Sequence, residues 1–362
     1  MKKSMRACAG VLQVALVVVL VAGVSLAAGH TQQQKPPIKL GTSGSNVKDI
    51  NSQFCCVGTL GSLVTKNGKQ FILSNNHVLG LSNTGQVGQA IMQRGYVDTV
   101  PVCSKNGTIN VAKLSQFIKL DFTGKNNLVD AAIAQVLPGK VSSTGAILQV
   151  GNISSTTVDP KLNLSVEKSG RTTGLTQGTI SSVNVSVTVS GYGECGLGTD
   201  SANFVKQFIV SGNNFSAGGD SGSLILNRPA QGKLAQPVGL LFAGNGTETV
   251  GNPIKTVLSK LGATMVGTPS DGAQEANALD AEIERVSQIK DRNDDYLMHL
   301  PGVMAHGVSL SQDGSGRVVI RLFLKDASNA ASLPAMVEGV PLETQVSGAF
   351  HTQPNCAKVP GK

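Results

Sequence analysis

The sequence is expected to fold as an all-β domain followed by a small α+β segment, and three features of its 362 residues carry that expectation. Gly accounts for 43 residues, while charged residues make up only 14% and aromatic residues only 4%, with no Trp; this composition suits many short strands joined by tight turns. Across residues 54–266, short apolar runs alternate with Gly, Asn and Pro, and helical spacing is sustained only from Pro253 to Leu261. Beyond residue 276 the texture changes to an amphipathic helix and a few strands. The length allows one large or two ordinary domains, so a disordered or coiled-coil chain is excluded.

The elements follow in order. Met1 to Arg6 is basic, Val11 to Leu26 is nearly all apolar, and Ser25-Leu26-Ala27 supplies small residues where a signal peptidase reads, so residues 1–27 are expected to be a cleaved export signal. The apolar run of about 16 residues falls short of the roughly 20 that span a bilayer, so membrane contact is expected only if this segment is retained. The mature chain is then expected to be secreted or periplasmic. Residues 28–53, with a Gln run and Pro36-Pro37, read as a polar linker. Lys66-Asn67-Gly68-Lys69 between two apolar runs is a hairpin signal, because Asn-Gly suits a turn with two positive φ angles. Val183 to Val189 alternates Val with Asn, Ser and Thr, which puts the valines on one face of a strand. Ile254, Val257, Leu258 and Leu261 mark a short helix closing the domain.

Residues 267–275 read as a second linker and 276–362 as an accessory α+β segment. Leu279, Ile283, Val286 and Ile289 predict an amphipathic helix that ends before Pro301. Met304 to Ser311 and Arg317 to Leu324 predict two strands, Ala327 to Val337 a short helix, and Leu342 to Phe350 a last strand. A segment of this size is at the low end for independent stability, and it is expected to bind a partner or the preceding domain.

Removing residues 1–27 would leave 27 basic against 22 acidic residues without clustering, so no nucleic-acid partner is expected. Export would expose Cys55, Cys56, Cys103, Cys195 and Cys356 to oxidation; the number is odd, so at least one thiol stays free or pairs with another molecule. Cys55 and Cys56 are neighbours on a strand and point to opposite faces, which disfavours a bond between them.

The strongest chemical signal is Gly218-Gly219-Asp220-Ser221-Gly222-Ser223. Glycines around a serine allow a tight turn that exposes the hydroxyl and aims neighbouring amides at one point. A serine needs a base within hydrogen-bond reach, and His77, in Asn75-Asn76-His77-Val78-Leu79, is the sole histidine between residues 54 and 266. A carboxylate must then hold the imidazole. Asp130 heads the apolar run Ala131-Ala132-Ile133-Ala134 and is preferred; Asp121 is the alternative. Neither metal nor other cofactor is expected, because His77 stands alone and the cysteines lack CxxC spacing.

The order His, Asp, Ser, with GGDSGS and NNHVL, resembles the trypsin/chymotrypsin-like serine peptidases, and more narrowly exported bacterial members carrying a small α/β module. The resemblance covers roughly Cys55 to Val266. It implies two six-stranded β-barrels with a cleft between them, Ser221 as nucleophile, His77 as general base, Asp130 as orienting carboxylate, and the amides of Gly219 and Ser221 as oxyanion hole. It places Phe215 at the base of the primary specificity pocket and Phe242, Ala243 and Gly244 along its wall and the substrate-pairing edge. A protein or peptide substrate follows, with a catalytically silent binding protein as the alternative. Val78 replaces the family's usual cysteine after the histidine, Phe215 is not the acid that a preference for Arg or Lys requires, and Asp220 needs a partner other than a new N-terminus, for which Arg171 is the candidate.

Overall fold

The structure is a computed structural model that describes residues 28–270 and 278–361; the expected export signal lies outside them. A short helix, α1 (Ala28–Thr31), is followed by β1 (Thr42–Asn46), β2 (Phe54–Leu60), β3 (Ser62–Lys66), β4 (Lys69–Ser74), β5 (Ala90–Gln93), β6 (Ile109–Phe117), β7 (Asn126–Asn127) and β8 (Ala132–Val136). β2 and β3 are one strand bent at Gly61, whose amide donates to Leu73 O at 3.1 Å. Around it, β1, β2–β3, β4, β8, β6 and β5 pair antiparallel and close on themselves. The ring encloses a core that includes Leu60, Leu63, Ile72, Leu73, Leu114 and Ile133.

The second half supplies β9 (Ser165–Gly170), β10 (Gly174–Tyr192), β11 (Asp200–Ser211), β12 (Leu224–Asn227), β13 (Pro237–Gly244) and β14 (Glu248–Pro253). The pairings run β9–β10–β11–β14–β13–β12 and return to β9, so this ring closes too. Two closed six-stranded barrels, the trypsin-like double barrel, follow directly from these registers. The helix α2 (Ile254–Leu261) and β15 (Thr264–Met265), which pairs with β3, tie the end of the second barrel back to the first.

The local chemistry explains these elements. Asn67 and Gly68 adopt φ of 50° and 71°, the two positive angles that the hairpin sequence implied. Val183, Val185, Val187 and Val189 are buried as their alternation required, but Ser182 and Ser186 on the other face are buried as well. The following segment covers that face. It comprises α3 (Ala278–Arg292), α4 (Asp294–Met298), β16 (Val303–Leu310), β17 (Val318–Leu324), β18 (Met336–Val337), β19 (Val340–Val346), β20 (Phe350–Thr352) and β21 (Asn355–Lys358). β16 pairs with β10, and Ser182 Oγ meets Ser309 Oγ at 2.5 Å. The sheet β16–β17–β19 is therefore continuous with the second barrel, and Val286, Val308 and Ile320 share a core with Phe208 and Leu241.

Three expectations are corrected. Residues 28–53 are not a linker: β1 is fully buried between β2 and β5, and the domain begins well before Phe54. The strand gives no sequence signal because Thr42-Ser43-Gly44-Ser45-Asn46 has no apolar side chain; its polar groups are instead satisfied inside, with Thr42 Oγ1 donating to His30 O at 2.9 Å and Asn46 Nδ2 to Leu79 O at 2.8 Å. Ala327 to Val337 is not a helix but a turn at Ala330–Ser332 followed by β18, since Pro334 disfavours helical geometry at the residue before it. The last strand is broken: β19 ends at Val346, and the chain then forms β20, paired with β10 and β13, and β21, paired with β2 of the first barrel. Among the described residues no helix is long and apolar enough to cross a membrane.

The end of the Phe208 ring packs against two glycines, such that a Cβ on Gly239 or on Gly251 would approach its Cζ to 2.3 Å. Gly251→Ala is therefore expected to cost about 1–3 kcal/mol through overpacking, read as a lower midpoint in thermal or urea denaturation.

Candidate active site

His77 sits in a π-helical turn, Asn76–Gly80, directly after β4. Its Nδ1 lies 2.6 Å from Asp130 Oδ2, and its backbone amide donates to Asp130 Oδ1 at 3.2 Å. Asp130 is fully buried just before β8. Its amide donates to Asn252 Oδ1 at 3.0 Å, its carbonyl accepts from Asn75 Nδ2 at 2.8 Å, and Tyr192 Oη donates to Oδ2 at 3.1 Å. Burial, reinforced by the Asp130 carboxylate, pushes the Tyr192 phenol well above its ordinary value, so it stays a donor. Asp121, the alternative, instead closes its own turn by accepting from Thr123 N at 2.8 Å.

Ser221 follows β11 in a loop closed by tight backbone bonds. Gly219 adopts φ of 102°, and a Cβ there would come within 2.3 Å of Thr172 Oγ1, so the position requires glycine. Thr59 of the first barrel grips this loop: its amide donates to Ser221 O at 2.8 Å and its Oγ1 donates to Gly219 O at 2.8 Å. A Cβ on Gly58 would lie 2.6 Å from Val78 and 3.1 Å from Ser221 O, which brings the serine loop against the residue next to His77. The Ser221 hydroxyl is buried, donates to Phe242 O at 3.4 Å and accepts from the amide of Gln353 at 3.2 Å. His77 Nε2 is buried and has no hydrogen-bond partner among the described residues. The Gly219 amide donates to Gln353 O at 2.6 Å.

Phe242, Ala243 and Gly244 form the end of β13; Ala243 and Gly244 pair on one side with β14 and on the other with β20. Phe215 is buried six residues before Ser221, with Lys168 Nζ 5.9 Å from its ring centre. The partner of Asp220 is not Arg171, whose guanidinium instead forms a forked pair with Asp98, Nε to Oδ2 at 3.0 Å. Lys168 Nζ lies 3.6 Å from Asp220 Oδ2, both side chains fully buried. Asp220 also accepts from Thr172 N at 2.8 Å, Thr173 Oγ1 at 2.7 Å and Ala217 N at 3.0 Å. Burial pulls the Lys168 ammonium below its ordinary value while Asp220 pulls it back up. In sequence Lys168 lies on an alternating strand that gives no sign of a buried charge; Thr59 and Tyr192 carry no sequence signal either.

Beside His77 opens a groove of about 660 Å³, bordered by Asp49, Cys56, Cys195, Thr352, Pro354 and Cys356. Cys55 bonds to Cys103. Cys56, on the opposite face, stands at disulfide distance from both Cys195 and Cys356, and the three sulfurs lie within 4.8 Å of one another. One sulfur makes one disulfide, so the two pairings exclude each other and a thiol is left over, as the odd count required.

A family model described as the Nal1 C-terminal domain matches residues 116–255. None of the curated proteins matches the chain. Among solved structures it is similar to a glutamic acid specific serine protease (19% identity, 63% of this chain and 100% of that one, TM-score 0.43). It is also similar to Thermobifida fusca Protease A (18% identity, 64% and 98%, TM-score 0.42) and to Cellulomonas bogoriensis chymotrypsin (18% identity, 64% and 99%, TM-score 0.40).

Two outcomes follow from the buried charges. Lys168→Met leaves Asp220 unpaired and is expected to cost about 3–5 kcal/mol by chemical denaturation, with Lys168→Met/Asp220→Asn recovering much of the loss. Burial pushes Asp49 from 3.8 up to about 8. The folded chain then holds more protons than the unfolded one between those values, so this group lowers stability progressively as pH rises from about 4 to about 8. Asp49→Asn is expected to raise the melting temperature at pH 8 and to leave it nearly unchanged at pH 4.

Proposed function

We propose that the chain is an exported serine endopeptidase that hydrolyses peptide bonds through His77, Asp130 and Ser221 and an acyl-enzyme intermediate. One observation carries this reading: the backbone of Gln353 rests with its carbonyl oxygen on the Gly219 amide and with its own N–H, which belongs to the preceding peptide group, on the Ser221 hydroxyl. On this reading a substrate carbonyl takes the place of Gln353 O on that amide next to the serine, and the negative charge it gains on attack is stabilised by the same N–H.

The chemistry then assigns a task to each group. Ser221 Oγ attacks the carbonyl carbon as His77 Nε2 takes the hydroxyl proton. Asp130, held by Asn252, the His77 amide and Tyr192, fixes the imidazole with Nδ1–H inward and stabilises its charged form. The amides of Gly219 and Ser221 hold the oxyanion. His77 delivers its proton to the leaving amine, and water, deprotonated by His77 in turn, cleaves the acyl-enzyme. Phe242, Ala243 and Gly244 pair with the substrate backbone, and Phe215 under the site favours an apolar or small side chain over a basic one.

A second reading, a catalytically silent trypsin-fold binding protein, draws on the resting geometry, in which His77 Nε2 has no partner among the described residues and Ser221 Oγ turns to Phe242 and Gln353. Prolonged labelling with a fluorophosphonate, which reacts only with activated serines, separates the two. The first reading expects labelling that Ser221→Ala and His77→Ala abolish and that Asp130→Asn slows by on the order of 10³-fold or more. A folded chain that resists labelling under every condition supports the second.

A further inference from the structure

The segment that fills the site belongs to the chain itself. Thr352 and His351 pair antiparallel with Ala243 and Gly244, the edge assigned to substrate. Phe350 and His351 pair on their other side with Val189 and Ser190, so the segment runs as a strand between two walls. Gln353 then puts its carbonyl on the Gly219 amide and its side chain against Gly244, where a Cβ would meet Nε2 at 2.3 Å. Its Oε1 is buried without a hydrogen-bond partner among the described residues. Beyond it, Asn355 Nδ2 donates to Gly218 O at 3.3 Å, and Cys356 stands directly across from Cys56 in the β2–β21 ladder. Ser221 is left with no exposed surface.

Resting on the peptidase reading, we infer that Phe350–Cys356 is a tethered pseudo-substrate: it occupies the substrate edge and the oxyanion position of Ser221, is locked there by a Cys56–Cys356 disulfide, and is released when Cys195 displaces Cys356. The exchange needs no outside oxidant. The Cys195 thiolate, its proton given to water, attacks the Cys56 sulfur; the Cys56–Cys195 bond forms, the Cys56–Cys356 bond breaks, and Cys356 leaves as a thiolate that takes up a proton. The three sulfurs are mutually close enough for this transfer, and the adjoining groove gives solvent a route to them. With Cys356 free, β21 loses its covalent hold on β2, and a substrate competes with Gln353 for the Gly219 amide.

The test measures the rate of fluorophosphonate labelling of Ser221 in the full chain, with disulfides mapped by mass spectrometry of unreduced peptides. Wild type, Cys356→Ser, which cuts the tether, and Cys195→Ser, which removes the exchanging thiol and keeps the lock, are compared before and after a mild reductant. Because the observed rate scales with the fraction of open molecules, Cys356→Ser is expected to label about tenfold faster or more than Cys195→Ser. Reductant should raise Cys195→Ser to the rate of Cys356→Ser while leaving the latter unchanged. Should Cys356→Ser not fold, Cys195→Ser with and without reductant carries the comparison. Equal rates in all folded forms overturn the pseudo-substrate and leave the peptidase reading standing; a chain that labels in no form overturns the peptidase reading and with it the inference.

Discussion

Everything at this site depends on how Thr59 holds two barrels together. The candidate groups are split between them: His77 and Asp130 come from the first, Ser221 and Gly219 from the second. Thr59 sits on the first barrel and makes two hydrogen bonds to the serine loop, while its Oγ1 also accepts from the amide of Arg171 at 3.0 Å and its carbonyl accepts from Ser74 Oγ at 2.7 Å. It thereby connects the strand before His77, the strand end carrying Arg171, and the loop carrying Ser221. Asn252 and Tyr192 of the second barrel reach the other way, to Asp130. These buried polar links fix relative position in a way that apolar packing, which tolerates sliding, does not.

The loop around Ser221 is held from below by a buried ion pair. Lys168 and Asp220 are both out of water, and such a pair is worth keeping only when each charge has further hydrogen bonds. Asp220 accepts four, from Thr172 N, Thr173 N, Thr173 Oγ1 and Ala217 N, and Lys168 donates to Gly174 O at 2.9 Å. The pair braces the turn that presents the Gly219 N–H to Gln353 O. The same N–H meets Gln353 O, so the donor proposed to receive a substrate carbonyl also retains the chain's own C-terminal strand.

Much of this was legible in the residues. The Asn-Gly turn, the valine alternation, the helix over Ile254 to Leu261, and the serine and histidine motifs are local patterns, set by side chains near one another in sequence. What stayed hidden was non-local or polar. β1 has no apolar residue to betray burial, and its hydrogen bonds go to His30, Leu79 and Gly95, far along the chain. Lys168 reads as an ordinary surface lysine until Asp220, 52 residues later, is brought to it by folding. The C-terminal strand, with Thr, Gln, Pro and Asn around its cysteine, shows no periodicity; its pairing partners lie more than 100 residues away in both barrels. Arg171 and Lys168 are three residues apart, and only the fold decides which of them reaches Asp220.

The most direct measurement is a crystal structure of the chain after reaction with a fluorophosphonate. The account predicts phosphorus bonded to Ser221 Oγ, the phosphonyl oxygen on the Gly219 amide, His77 Nε2 turned toward the adduct, and Gln353 displaced from its present place. Phosphorus on another residue, or an adduct on Ser221 with Gln353 still seated on the Gly219 amide, would contradict it.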